Sequence, residues 1–221
     1  MKKAVIFMKK NSFICNGQEY DFNRISEVKH LFKSDLKIII LEEELYAKQY
    51  ANNIKRNQIY EFVEYKINND FMQNGDILYD FQKVKNIIAI YYIKGATRIE
   101  KLSEGTDNLE VKPIQFIAKE VMEKILNNEN FTCSLLVRFQ DCYYFMIFKE
   151  GFFYSGFVSE EKDLIFSKII ENNELEEMYF DYNIDENLFV SKKIKLIKIN
   201  LGELINEKVY EKQRFYTRKI L

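Results

Sequence analysis

The chain has 221 residues, 47% of them hydrophobic and 30% charged, enough to bury a core and keep a solvated surface. That mixture excludes intrinsic disorder, because disordered chains lack the apolar side chains that offset ordering entropy. Lys and Arg (33) balance Asp and Glu (34), so no basic field marks a nucleic-acid partner, and none is expected. One His, three Cys and seven Gly leave little material for zinc sites, histidine triads or glycine-rich phosphate loops.

No run of 18 apolar residues occurs. Met1 to Lys10 holds too few apolar residues for a secretory signal, and Ala4 to Met8 reads as a first strand. Across the turn Lys9-Lys10-Asn11 its partner is Ser12 to Cys15. Asn23 caps a helix carrying Ile25, Val28, Leu31 and Phe32. A buried-type strand, Lys37 to Leu41, and a more polar one, Leu45 to Ala51, come next. Asn52 and Asn53 precede a helix with Ile59, Phe62, Val63 and Ile67 on one face. The Asn74-Gly75-Asp76 turn leads to the strand pair Ile77 to Gln82 and Ile87 to Ile93. Gly95 to Glu110 is expected to be a short helix and a loop.

Pro113 stands as the first residue of a helix striped with Ile114, Ile117, Ala118, Val121, Met122 and Ile125. Phe131 to Phe139, Cys142 to Lys149 and Phe152 to Val158 form an antiparallel meander, with Gly151 at a hairpin and Gly156 at a bulge. A helix from Glu161 to Asn172 and strands at Tyr179 to Tyr182 and Ile194 to Leu201 complete the chain. The order predicts an α/β fold with mixed sheets, in two lobes divided near Asn127 to Asn130. No internal repeat is visible in the sequence.

Chemistry is sparse. His30 has no neighbour to orient it as a base. Cys15, Cys133 and Cys142 show no paired spacing and read as reduced core residues of a cytoplasmic protein. Asp80, Asp141 and Asp181 could lie where strand-end Mg²⁺ ligands would, but Asp80, inside an aromatic strand, and Asp141, at a hairpin tip, read more simply as edge or turn residues. Glu42-Glu43-Glu44 reads as a solvated run. Phosphate-binding glycine motifs are missing, so the residues point to a binding module without a catalytic site, metal or cofactor. Acids dominate Val158 to Val190, and bases gather beyond Glu203, ending in Tyr216-Thr217-Arg218-Lys219-Ile220-Leu221. Such an end suits a cytoplasmic domain just ahead of a membrane anchor.

The element order resembles the cytoplasmic actin-like domains of pilus and secretion platforms, the PilM-type and GspL-type proteins. The strand pair Lys37 to Gln49, the helix around Ile59 to Tyr65 and the Lys112-Pro113 helix carry the resemblance. So does the meander opening at Leu135-Leu136-Val137-Arg138. Lys198-Ile199-Asn200-Leu201 is similar to the Ile-Asn-Leu motif of PilN-type partners, as in a fused PilM–PilN protein. The resemblance implies a two-lobed actin-like (RNase H-like) fold, reduced in size. It divides the chain into a first lobe (1–128), a second lobe (129–198) and a partner-type peptide (199–221).

It also implies a non-enzymatic scaffold at the inner face of the cell membrane, linking a motor ATPase to platform proteins. Ile199, Asn200, Leu201 and Leu204 would be its partner-binding residues. Ile194 to Leu201 reads equally as the last strand of the core. Actin-like ATPases carry Asp-x-Gly turns for phosphate and Mg²⁺, whereas Met8-Lys9-Lys10 and Arg138-Phe139-Gln140 stand in those places here, so no nucleotide is expected. The alternative is a Mg²⁺-dependent actin-like or RNase H-like nucleotide-binding enzyme built on Asp80, Asp141 or Asp181.

Overall fold

The computed structural model describes residues 4–32, 35–51, 54–71, 76–172, 177–185 and 194–211. Asn52-Asn53, Asn74-Gly75 and the basic run 212–221 lie outside the described residues.

The first lobe is built on strands β1 (Ala4–Met8), β2 (Ser12–Cys15), β3 (Gln18–Asp21), β4 (Asp35–Ile40) and β8 (Asn108–Pro113), in the order β3-β2-β1-β4-β8. β1, β2 and β3 are antiparallel neighbours, while β4 and β8 run parallel to β1. β4 lies between β1 and β8, and its run Leu36 to Ile40 is buried on both faces, which is why it is almost continuously aliphatic. A short helix, α1 (Ile25–Val28), lies between β3 and β4.

Between β4 and β8 the chain inserts a second layer. β5 (Tyr46–Ala51), β6 (Ile77–Val84) and β7 (Ile87–Lys94) form an antiparallel sheet in the order β5-β7-β6. Helix α2 (Ile59–Asp70) packs on one face through Ile59, Val63 and Ile67 against Ile88 and Ile90. The opposite face turns Ala89, Tyr91 and Ile93 into the main core. Helix α3 (Ala96–Ser103) returns the chain to β8, and α4 (Ile114–Leu126) follows.

The second lobe repeats the plan. β9 (Cys133–Phe139), β10 (Cys142–Lys149), β11 (Phe152–Ser159), β12 (Glu177–Asp181) and β13 (Lys195–Ile199) take the order β11-β10-β9-β12-β13. The first three are antiparallel, and β12 and β13 are parallel to β9. Helix α5 (Lys162–Glu171) stands where α1 does, covering its sheet with Ile165, Phe166 and Ile169. Helix α6 (Leu201–Tyr210) follows β13 as α4 follows β8, and the two helices pack together. The duplication invisible in sequence is thus a duplication of strand order.

Three expectations need correction. β3 and β8 are strands where loop was expected; β8 is an edge strand whose alternating polar residues hide it. Pro113 is extended (φ −69°, ψ 147°) and caps α4, so Ile114 is the first helical residue. The bulge beside β10 falls at Tyr154, and Gly156 sits opposite Met146.

Candidate functional site

The tip of β1–β2 and the tip of β9–β10 face the junction of the lobes. In the first, Lys9 N–H donates to the Ser12 carbonyl at 2.9 Å. In the second, Gln140 (φ 48°) and Asp141 (φ 66°) are both left-handed, the geometry of a two-residue hairpin whose twist matches its strands. Lys9 forms ion pairs with Glu19 at 3.2 Å and Glu42 at 3.8 Å. Burial acts to lower its pKa, but Glu19, Glu42 and Asp141 outweigh burial and hold the ammonium above its ordinary value.

Behind this turn lies Arg98 of α3. Its guanidinium donates to the carbonyls of Lys9 (2.9 Å) and Lys10 (3.1 Å) and to the Glu43 carboxylate (2.7 Å). Gly95 makes room for it, since a Cβ there would stand 2.9 Å from both the guanidinium and the Met8 methyl, at a φ of 120°. The Glu43 carbonyl in turn accepts from Gln115 Nε2 at 2.9 Å. The acidic run after β4 is therefore not solvated as its sequence suggested. Glu42 and Glu43 are each only 11% exposed at the side chain.

Glu42 (φ 61°) joins the lobes. Its backbone N–H donates to the hydroxyl of Tyr144, a fully buried residue of β10, at 3.0 Å. Its carboxylate accepts from Lys10 N–H at 3.0 Å. Cys142 and Glu160 lie alongside, with ligand atoms of Glu42, Cys142 and Glu160 within 4.8 Å of one another. Burial, with Glu42 and Glu160 adding to it, pushes the Cys142 thiol up to about 11, so it is protonated at neutral pH and a poor metal ligand. Neither Glu42 nor Tyr144 was singled out by sequence; only the placement of Glu42 directly behind the aliphatic strand hinted at it.

The carboxylates of the enzymatic alternative are not gathered. Asp80 is exposed on β6, where its own Oδ1 accepts from Phe81 N–H. Asp141 is at the hairpin tip, 3.5 Å from Arg138. Asp181 is wholly buried at the end of β12. Neither of its oxygens has a well-aligned hydrogen bond, although the N–H groups of Gly202, Tyr182 and Leu201 face them. Burial outweighs those N–H groups and raises its pKa.

The four residues expected to bind a partner are placed in the second lobe's own closing elements. Ile199 ends β13 in register with Asp181. Asn200 caps α6, its side chain accepting from Glu203 N–H and donating to the Glu203 carboxylate. Leu201 is fully buried and Leu204 packs against the same core. At the other end of α6, the buried Lys37 of β4 donates to the Val209 carbonyl at 2.9 Å, a cation on a helix C-terminus. This is the last-strand alternative, extended by a helix.

A different surface has the form of a docking groove. An apolar depression of about 250 Å³ runs between the inserted sheet and the first sheet, lined by Leu78, Tyr91, Ile93, Val111, Pro113 and Phe116. Its walls include β6 and β8, each paired on one side only among the described residues. Tyr79, 48% exposed, stands on its rim with Asp80 and Lys112.

No protein-family model matches the chain, and no curated protein matches its sequence. Solved structures do. A Bacteroides thetaiotaomicron protein with an actin-like ATPase fold and unknown function superposes with a TM-score of 0.58 at 13% identity, over 95% of this chain and 96% of that one. A chain of the PilM–PilN type IV pilus biogenesis complex gives 0.59 at 9% identity, over 92% and 90%. The cytoplasmic domain of EpsL, an inner-membrane component of the Vibrio cholerae type II secretion system, gives 0.53 at 9% identity, over 94% and 94%. The chain has the two-lobed actin-like fold, as its element order implied. Among the described residues no helix is long and apolar enough to cross a membrane.

Proposed function

We propose that this chain is a non-enzymatic scaffold of an inner-membrane assembly platform, of the kind found in type IV pilus and type II secretion systems. It works at the cytoplasmic face of the membrane and links platform proteins to a motor ATPase. The observation that carries the reading is the condition of the cleft. Lys9 and Arg98, two of the cations beside the cleft, are already bound to Glu19, Glu42, Glu43 and the Lys9 and Lys10 carbonyls. Neither facing hairpin turn contains a glycine, so the backbone lacks the close approach that a phosphate cradle needs.

Binding falls to the groove between β6 and β8. Two open strand edges above an apolar floor suit an extended peptide, whose main chain pairs with an edge and whose aliphatic side chains fill the floor. The N-terminal peptide of a PilN-type protein has that chemistry. Each buried aliphatic anchor contributes about 1.5–3 kcal/mol.

Two measurements test the reading. Calorimetry with Mg·ATP is expected to give no heat of binding, and micromolar affinity would overturn the non-enzymatic assignment. A photo-crosslinking amino acid at Tyr79 is expected to capture a membrane-anchored platform protein in its native cell, whereas one at Tyr182 is not. Equal capture at both positions removes the groove from the account.

A further inference from the structure

The contacts at the junction of the lobes amount to more than a filled cleft. Glu42 is held in the left-handed region (φ 61°), which is uncommon for a residue other than glycine. The surroundings here come from both lobes. From the first, Lys10 N–H binds its carboxylate and Leu41 N–H, one residue earlier, binds the Met8 carbonyl at 2.8 Å. From the second, the Tyr144 hydroxyl receives its N–H. That hydroxyl also bonds the Cys142 side chain, and burial raises its pKa well above the ordinary phenol value.

The facing turns carry opposite charge, Lys9 and Lys10 on one and Asp141 with nearby Glu160 on the other. Phe7 and Phe139, at 5.8 Å between ring centroids, close the apolar side of the same junction.

We propose that the two lobes act as each other's ligand: Glu42, in the turn after β4, and Tyr144 of β10 form an intramolecular clasp that fixes the angle between the lobes without any bridging molecule. The clasp rests on the reading that the cleft holds no nucleotide. It explains why a glutamate stands in this left-handed position after β4, where a glycine would be relaxed but would carry no carboxylate for Lys10. It also gives a scaffold one rigid shape to present to its partners.

The test uses the full chain with spin labels at two exposed positions, Ser26→Cys on α1 and Ser167→Cys on α5; the three native cysteines are buried. One narrow distance distribution is expected. Tyr144→Phe, which removes only the hydroxyl that receives the Glu42 N–H across the junction, is expected to broaden it and move it to longer separation, whereas Glu42→Gly, which keeps the backbone conformation and that N–H, is expected to leave it narrow. Amide exchange at Glu42 should rise about tenfold or more in Tyr144→Phe while Leu41, bonded within its own lobe, stays unchanged. An unchanged distance distribution in Tyr144→Phe, or a broad one in Glu42→Gly or in the unsubstituted chain, overturns the clasp. Mg·ATP added to the unsubstituted chain separates the two readings. A shift in its distribution overturns the nucleotide-free reading of the cleft, whereas Tyr144→Phe reports on the clasp alone.

Discussion

Replacing Leu201 by Ala asks whether the segment after β13 belongs to the fold or to a partner. The side chain is fully buried in the main core, at the first turn of a helix that packs on α4, β9 and β12. Three carbons are lost, worth about 0.8 kcal/mol each in transfer, and a residual cavity adds to that. The sum is about 3 kcal/mol, reduced by a few tenths for the better helix propensity of Ala. For a chain of this length each kcal/mol lowers Tm by about 2–4 °C, so a drop of about 6–12 °C is expected. Urea unfolding followed by circular dichroism should show a lower midpoint at constant slope. Asn200→Ala, which removes only the cap of α6, is expected to cost about 1 kcal/mol. A midpoint unmoved by Leu201→Ala would mean that α6 is not docked on the lobe, and would return residues 199–210 to a partner-binding role.

Asp181→Asn probes the buried carboxyl. Its pKa is raised in the fold, so the native state holds the proton more tightly than the unfolded chain and ionisation costs stability at neutral pH. The variant should therefore be at least as stable as the parent at pH 7, with the difference vanishing toward about pH 4. A loss at pH 7 that recovers in acid has the opposite sign and refutes the argument. Gly151→Ala is expected to unfold much of the population, because Gly151 is left-handed (φ 75°) and its new methyl would collide with the Glu129 carbonyl. Gly17→Ala has a similar φ (79°) in open space and should cost only about 1–2 kcal/mol by the same melting assay. All three thiols are buried, and burial pushes Cys133 up to about 12 and Cys142 to about 11, so a disulfide reagent at pH 8 should label none of them in the native protein. Rapid reaction of Cys142 would show that the lobe junction opens.

Periodicity exposed most of the scaffold. β4 and the meander β9–β11 are long apolar runs bounded by turn residues, and α4 shows a stripe of the helical period from Ile114 to Met122. What escaped detection was marginal in apolar content. β3 has no buried residue, yet the Asn16-Gly17 pair ahead of it is a strong hairpin signal that the sequence reading passed over. α6 was hidden because Ile-Asn-Leu suggested a docking peptide; its buried set Leu201, Ile205 and Val209 has plain helical spacing. The site was less legible. Glu42 and Tyr144 are brought together across 102 positions of chain and Glu43 and Arg98 across 55, and nothing local distinguishes them from surface glutamates or core tyrosines.

The duplicated strand order gives these distant residues a common cause. In each lobe the first hairpin and the end of the neighbouring parallel strand reach the same edge of the sheet, so duplication sets two hairpin tips and two strand ends around one cleft. The two halves differ in chemistry. The first presents Lys9, Lys10 and the inward-turned pair Glu42 and Glu43; the second presents Asp141, Cys142 and the buried Asp181. Carboxylates therefore stand on both sides, and Lys9 and Arg98 between them are committed to the chain's own groups. A triphosphate entering that space would have to displace Glu42 and Glu43 from Lys9 and Arg98 before gaining a contact, and two buried acids left without their partners are costly. The insertion between β4 and β8 has no such conflict. Its sheet leaves an open edge beside an open edge of the first sheet, over an apolar floor. On the scaffold function proposed above, recognition falls to the inserted layer and not to the cleft.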